Sequence, residues 1–152
     1  MFVHRDAERE PPEHRIHEIA RAVGGAGLPV PHLCVVPVRM LEAWLLFDRA
    51  AIRRAAGNPN GAMPLELPEL SRVEELPDPK AVLHSLLQEA SGLKGRRLNN
   101  LRVPVRRVAA LIDGFAPLRR LSAFQRLEKD VQVFVQGRRG LPMALPEDYE
   151  QV

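Results

Sequence analysis

Leu33-Cys34-Val35-Val36-Pro37-Val38 is a continuous apolar run rich in β-branched residues, the pattern of a strand buried on both faces. Upstream, Phe2-Val3-His4-Arg5-Asp6 reads as a second extended segment, so the expected strands cover about 2–6 and 33–38. Between them, Pro11-Pro12 suits a helix start, because proline is tolerated at the first helical position. Ile16, Ile19, Ala20 and Val23 then recur at helical spacing, and Gly24-Gly25 stop the helix. Gly27-Leu28-Pro29-Val30-Pro31 forms a rigid connector. A strand–helix–strand unit of this length makes a parallel pair with a right-handed crossover.

The remainder reads as mostly helical. A long helix is expected from about Met40 to Ala56, with Leu41, Trp44, Leu45, Ile52 and Ala55 on its apolar stripe and Gly57 at its end. Asn58-Pro59-Asn60-Gly61 is turn chemistry. Residues 62–77 are rich in Pro and Glu and read as irregular. Asp78-Pro79 begins a third helix, Val82, Leu83, Leu86 and Leu87 form its buried face, and Gly92 closes it. Val105 to Ile112 also reads as helical. Ser122-Ala123-Phe124-Gln125 reads as a capping box opening a helix that runs to about Val135 and ends before Gly137. The organisation is a single α/β domain over residues 1–136 with a tail over 137–152, a partial parallel sheet and a predominantly helical C-terminal half. No internal repeat is visible.

Two strands are too few for an open parallel sheet, which normally has more strands and cover on both faces. A partner chain or a segment preceding Met1 is therefore expected to complete it. A start assigned too late would explain a strand that begins at the first residue.

At 152 residues and 45% hydrophobic content the chain can bury a core, which excludes wholesale disorder. It has no run of roughly 18 apolar residues, so no membrane span is expected. Charges at His4, Arg5 and Asp6 replace the apolar stretch of a signal peptide, which points to a bacterial-type cytoplasmic location. Cys34 is the single cysteine and lies inside the apolar run, as a buried structural thiol would. His14, His17, His32 and His84 show no zinc spacing with it.

Chemistry concentrates where the first strand ends. His4, Asp6 and Glu8 alternate, so continued extension would project them to one side. The carboxyl ends of strands are where ligands collect in α/β proteins, and two carboxylates with an imidazole would suit a divalent cation. The plainer readings stand beside this: Asp6 as a cap or ion-pair partner, Glu8 as surface, and His4 as a hydrogen-bonded structural residue. Glu42 follows the second strand at the start of the next helix, where the helix dipole favours a carboxylate in any case. Arg39 would bind a phosphate from the same edge or pair with Glu42. Lys80 sits at a helix start, where a cation is mildly disfavoured, which hints at a phosphate contact. Trp44 reads as core and Ser122 as a cap.

Net charge is only +3, but of the 22 cations 19 are arginine and 3 lysine. A GC-rich coding bias reads that ratio more plainly than selection for phosphate binding does. Between Glu89 and Asp113 there is no acid, while Lys94, Arg96, Arg97, Arg102, Arg106 and Arg107 are basic. Such a block suits nucleic-acid phosphates and equally a solvated surface. The chain has one Trp, one Tyr and five Phe, too few for a platform on which single-stranded bases stack.

Four segments carry a resemblance: Val3-His4-Arg5-Asp6-Ala7-Glu8; Val36-Pro37-Val38-Arg39-Met40-Leu41-Glu42-Ala43-Trp44-Leu45-Leu46; Asp78-Pro79-Lys80; and Leu121-Ser122-Ala123-Phe124. Over roughly residues 2 to 130 the chain resembles a family of uncharacterised bacterial proteins, a domain of unknown function with a TOPRIM-like fold. Its members often neighbour ATPases in phage-defence-type loci. Glu-Ala-Trp-Leu-Leu is the most specific part. In TOPRIM domains a strand ends in an Asp-x-Asp pair that binds magnesium, and an earlier strand supplies a glutamate acting as acid or base. The resemblance places Asp6 at the second aspartate, His4 at the first and Glu42 at the acidic position of the next helix. The earlier glutamate strand has no counterpart in this sequence.

The resemblance thus implies magnesium-dependent phosphodiester cleavage on nucleic acid. Asp6 and Glu42 would be catalytic and hold the metal, with His4 and Glu8 as auxiliary ligands. Arg39, Lys80, Arg96, Arg97 and Arg106 would position nucleic acid. The alternative is a non-catalytic subunit or interaction module that partners an ATPase, or a homo-oligomer in which another copy completes the sheet.

Overall fold

The computed structural model describes residues 1–27, 30–103 and 105–137. Leu28 and Pro29 of the expected connector, and the expected tail beyond Gly137, lie outside the described residues.

Strands β1 (Phe2–His4) and β2 (Leu33–Val35) pair in parallel, with Phe2 opposite Leu33 and His4 opposite Val35. Both are shorter than the segments 2–6 and 33–38 expected from sequence. Their hydrogen bonding nonetheless runs further: Arg5 N donates to Val35 O at 3.1 Å and Ala7 N to Pro37 O at 3.0 Å. The ladder stops there because Pro37 has no N–H to return. Among the described residues the sheet has these two strands only, so the protein is mixed α/β but mostly helical.

Helix α1 (Pro12–Gly25) starts with proline inside its first turn and no side-chain cap. Its Ile19 is buried, and Ile16 and Val23 pack with it against Val3, Ala7, Cys34 and Val36. Ala20, expected on this stripe, is exposed. Three residues, Ala7, Ile19 and Val36, are buried in this small core.

The long helix expected over Met40–Ala56 is broken in two. Leu41–Leu45 is a 3-10 helix and α2 spans Arg49–Ala55. Ala43, Trp44, Leu45 and Leu46 are buried in succession, so this stretch is enclosed on every side rather than along one helical stripe. Asp48 then ends it by accepting from Ala51 N at 2.8 Å, opening α2 as an N-cap.

Residues 62–77 are irregular except for a 3-10 helix, Leu70–Glu75, that buries Val73. Helix α3 (Pro79–Ser91) follows the sequence closely. Asp78 accepts from Ala81 N at 2.8 Å, and Gly92 ends the helix in the left-handed region at φ 65°. Short helices α4 (Gly95–Asn99) and α5 (Val105–Ala110) carry the basic block, and α5 ends before Ile112, which is buried all the same. A 3-10 helix over Ala116–Arg120 leads into α6 (Ser122–Gly137), which reaches Gly137 and packs along β2.

The expected capping box does not form. Gln125 Nε2 donates to Arg119 O at 2.6 Å rather than reaching back to the amide of residue 122. The main core joins Trp44, Leu46, Ile52, Val73, Leu83, Val108 and Leu118.

Candidate functional site

Extension through Ala7 puts His4 and Asp6 on one side of β1, while Val3 and Ala7 face α1. The side chains of His4 and Asp6 meet: His4 Nε2 lies 2.9 Å from Asp6 Oδ1. That same oxygen accepts from the backbone N–H of Leu41 at 3.1 Å. Leu41 is the first residue of the 3-10 helix that carries Glu42 in its opening turn. A carboxylate at the carboxyl end of β1 therefore holds the segment leaving β2 and sets Glu42 one residue from the point of attachment. Glu42 and Arg39 are half-buried. Among the described residues neither makes an ion pair, so the expected alternative of an Arg39–Glu42 pair is not formed.

Glu8 departs from this arrangement. The chain turns at Glu8 and Arg9, which have φ of 55° and 84°, so alternation does not extend to Glu8. Its carboxylate lies 3.8 Å from Arg15 Nη2 of α1. Arg15 also binds Glu18 at 2.8 Å, and Glu18 lies 3.6 Å from Arg5. Glu8 thus joins a charge network on α1, as its surface reading expected. Among the described residues no three His, Cys, Asp or Glu side chains gather as a metal-holding group.

Two of the candidate phosphate-binding cations, Lys80 and Arg106, stand on helices packed against the same 3-10 helix. Lys80 is exposed on the first turn of α3, and α3 packs on Leu41–Leu45. Arg106 is exposed on α5, which packs on Leu41–Leu45 and on α2. Arg96 and Arg97 are exposed on α4.

One group of interest escaped the sequence. Glu74, within the stretch read as irregular, faces the Trp44 indole N–H, the Ser122 hydroxyl and the backbone amides of Ser122 and Ala123 at the start of α6. Burial pushes its carboxyl above the ordinary value, and these donors partly offset that rise. Glu74 Oε1 and Trp44 Nε1 are sealed from solvent, and neither completes a well-formed hydrogen bond. Trp44 is core, as expected, and meets Phe124 edge-on at 5.4 Å. Nothing local marked Glu74, which stands beside a second acid in Val73-Glu74-Glu75-Leu76. Cys34 is half-buried, and burial, followed by the charge of Asp130, raises its thiol pKa, as befits a structural thiol.

Compared with family models, curated proteins and solved structures, the chain matches none of them. No described helix is long and apolar enough to cross a membrane. The functional reading accordingly rests on the residues themselves.

Proposed function

We propose that this chain is a TOPRIM-like protein whose chemistry is magnesium-dependent phosphodiester cleavage on nucleic acid. The observation that supports it is the hydrogen bond from Leu41 N to Asp6 Oδ1, which ties the carboxyl end of one parallel strand to the segment bearing Glu42. The carboxyl ends of adjacent parallel strands are where ligands collect in α/β proteins.

The donor set fits a hard cation in type. Both bonds described for Asp6 fall on Oδ1, and Asp6 Oδ2 and the Glu42 carboxylate supply hard oxygens. Asp6 and Glu42 would hold magnesium, with water and substrate oxygens filling its octahedron. Bound magnesium would polarise the scissile phosphate. His4 orients Asp6 through its Nε2 and so acts as a positioning residue, and Glu8, drawn to Arg15, would stay outside the ligand set. Arg39 and Lys80 would steer the phosphate backbone. Nicking of supercoiled plasmid in magnesium tests the reading: Asp6→Asn and Glu42→Gln should each abolish it. Equal nicking by Asp6→Asn, or none by the folded wild type with any divalent metal, would overturn it.

A second reading, a non-catalytic module that pairs with an ATPase or another copy, is favoured by the sheet itself. Among the described residues β1 pairs on one side only, and Phe2 at its start is 65% exposed. Light scattering on the purified chain discriminates, since a stable monomer argues against self-pairing.

A further inference from the structure

Residues 90–112 contain no acid, no aromatic residue and no histidine, yet they carry six cations. Lys94, Arg96, Arg97, Arg102, Arg106 and Arg107 are all exposed. Among the described residues none of the six enters an ion pair. Elsewhere Arg5, Arg15, Arg54, Arg72, Arg119 and Arg126 lie against carboxylates, whereas Arg9, Arg21, Arg39, Arg49, Arg53 and Arg120, which do not among the described residues, are scattered along the chain and not gathered in one acid-free segment. Arg102 is turned inward on its own chain, donating to Asn99 O at 3.0 Å and Leu101 O at 2.9 Å. It braces the segment between α4 and α5 and leaves the other cations to face outward.

Resting on the nucleic-acid reading above, we propose that α4 and α5 form a surface that grips the phosphate backbone of duplex nucleic acid, independent of sequence, through Arg96, Arg97, Arg106 and Arg107. Three features select that partner. Guanidinium groups match phosphate oxygens in pairs and stay charged at every relevant pH. Single-strand binding draws on aromatic faces for base stacking, and this segment has none. Base reading in the major groove needs a helix or a two-stranded ribbon that enters it, and this segment has no strand among the described residues. Helix α5 is only six residues long, buries Val108 and is packed against α2 and the Leu41–Leu45 helix, so it offers side-chain tips to the backbone and not its body to a groove.

The test is fluorescence anisotropy of the full chain with two duplexes of unrelated sequence and one single strand, in chelator so that no cleavage intervenes. The wild type should bind both duplexes equally and the single strand more weakly. Replacing all four arginines with Gln should weaken duplex binding more than tenfold at low salt and flatten the slope of log K against log salt by about 3 to 4. The four Arg→Lys changes, which keep the charge, should restore the slope. Unchanged binding by the Gln variant, preference for the single strand, preference for one duplex sequence, or failure of Lys to restore the slope would each overturn the proposal. Duplex binding in chelator without nicking in magnesium supports the surface and removes the catalytic reading. Nicking and binding both untouched by the four Gln changes overturn the surface and keep the catalytic reading.

Discussion

Asp6 accepts a hydrogen bond from the amide of Leu41, 35 residues further along the chain, at 3.1 Å. One carboxylate oxygen thereby satisfies an amide that the opening turn of a 3-10 helix leaves without an internal partner, and it receives His4 as well. Structure and proposed chemistry converge on one side chain, so the two roles have to be separated by choice of substitution.

Asp6→Asn and Asp6→Ala make that separation. The Asn carbonyl can still accept from Leu41 N, whereas Ala leaves that amide unpaired. Asp6→Ala should cost about 1–3 kcal/mol in urea unfolding and Asp6→Asn clearly less. Both should lose magnesium-dependent nicking. If the two variants lose stability equally, the hydrogen bond is not what Asp6 contributes to the fold.

Glu74 predicts a dependence on pH. Its carboxyl is raised above 4.5, chiefly by burial, so the native state holds that proton more tightly than the unfolded chain does. Its contribution is therefore most favourable below about pH 4.5 and declines as pH rises through the native value. Glu74→Gln carries no charge and removes the decline. Subtracting its urea midpoints from those of the wild type between about pH 4 and pH 7 should give a difference that falls with pH. A difference that rises would contradict the burial.

Ile52 is fully buried in the main core. Ile52→Ala should cost about 2–5 kcal/mol, depending on how far its neighbours collapse. Equilibrium unfolding measures this directly.

Helix α3 offers a sharper pair. Asp78→Ala removes the bond to Ala81 N and should cost about 1 kcal/mol. Gly92→Ala puts a side chain at φ 65°, with its Cβ 3.3 Å from Asn58 Nδ2, and should cost about 1 kcal/mol or more. The two changes lie at opposite ends of the helix, so their effects should add in the double variant.

Local signals were legible where they act locally. Pro12, Asp78-Pro79 and Gly92 mark helix ends through their own backbone chemistry, and the parallel pairing of β1 with β2 followed from the length of the unit between them. The break at Asp48 was not, because Leu41, Trp44 and Leu45 are apolar at a spacing that a helical stripe also fits. Asp6 stood out from its place at a strand end, but its attachment to Leu41 is a tertiary event without a local signature. The same holds for Glu74, whose partners Trp44, Ser122 and Ala123 come from distant segments. Of the two readings of Glu8, the alternation of strand side chains did not carry to it, because the chain turns there at positive φ.

The small core of Ala7, Ile19 and Val36 is separate from the large one. It holds too little buried surface to resist opening as firmly as the helices around Ile52 do. Amides of Arg5 and Ala7 should therefore exchange with deuterated water sooner than those in the middle of α3. Asp6 and Glu42 stand on opposite sides of that seam, one on the yielding unit and one on the firm one. A cation held between them would stitch the two together, and occupancy would register as slower exchange along β1 before any bond in a substrate is broken.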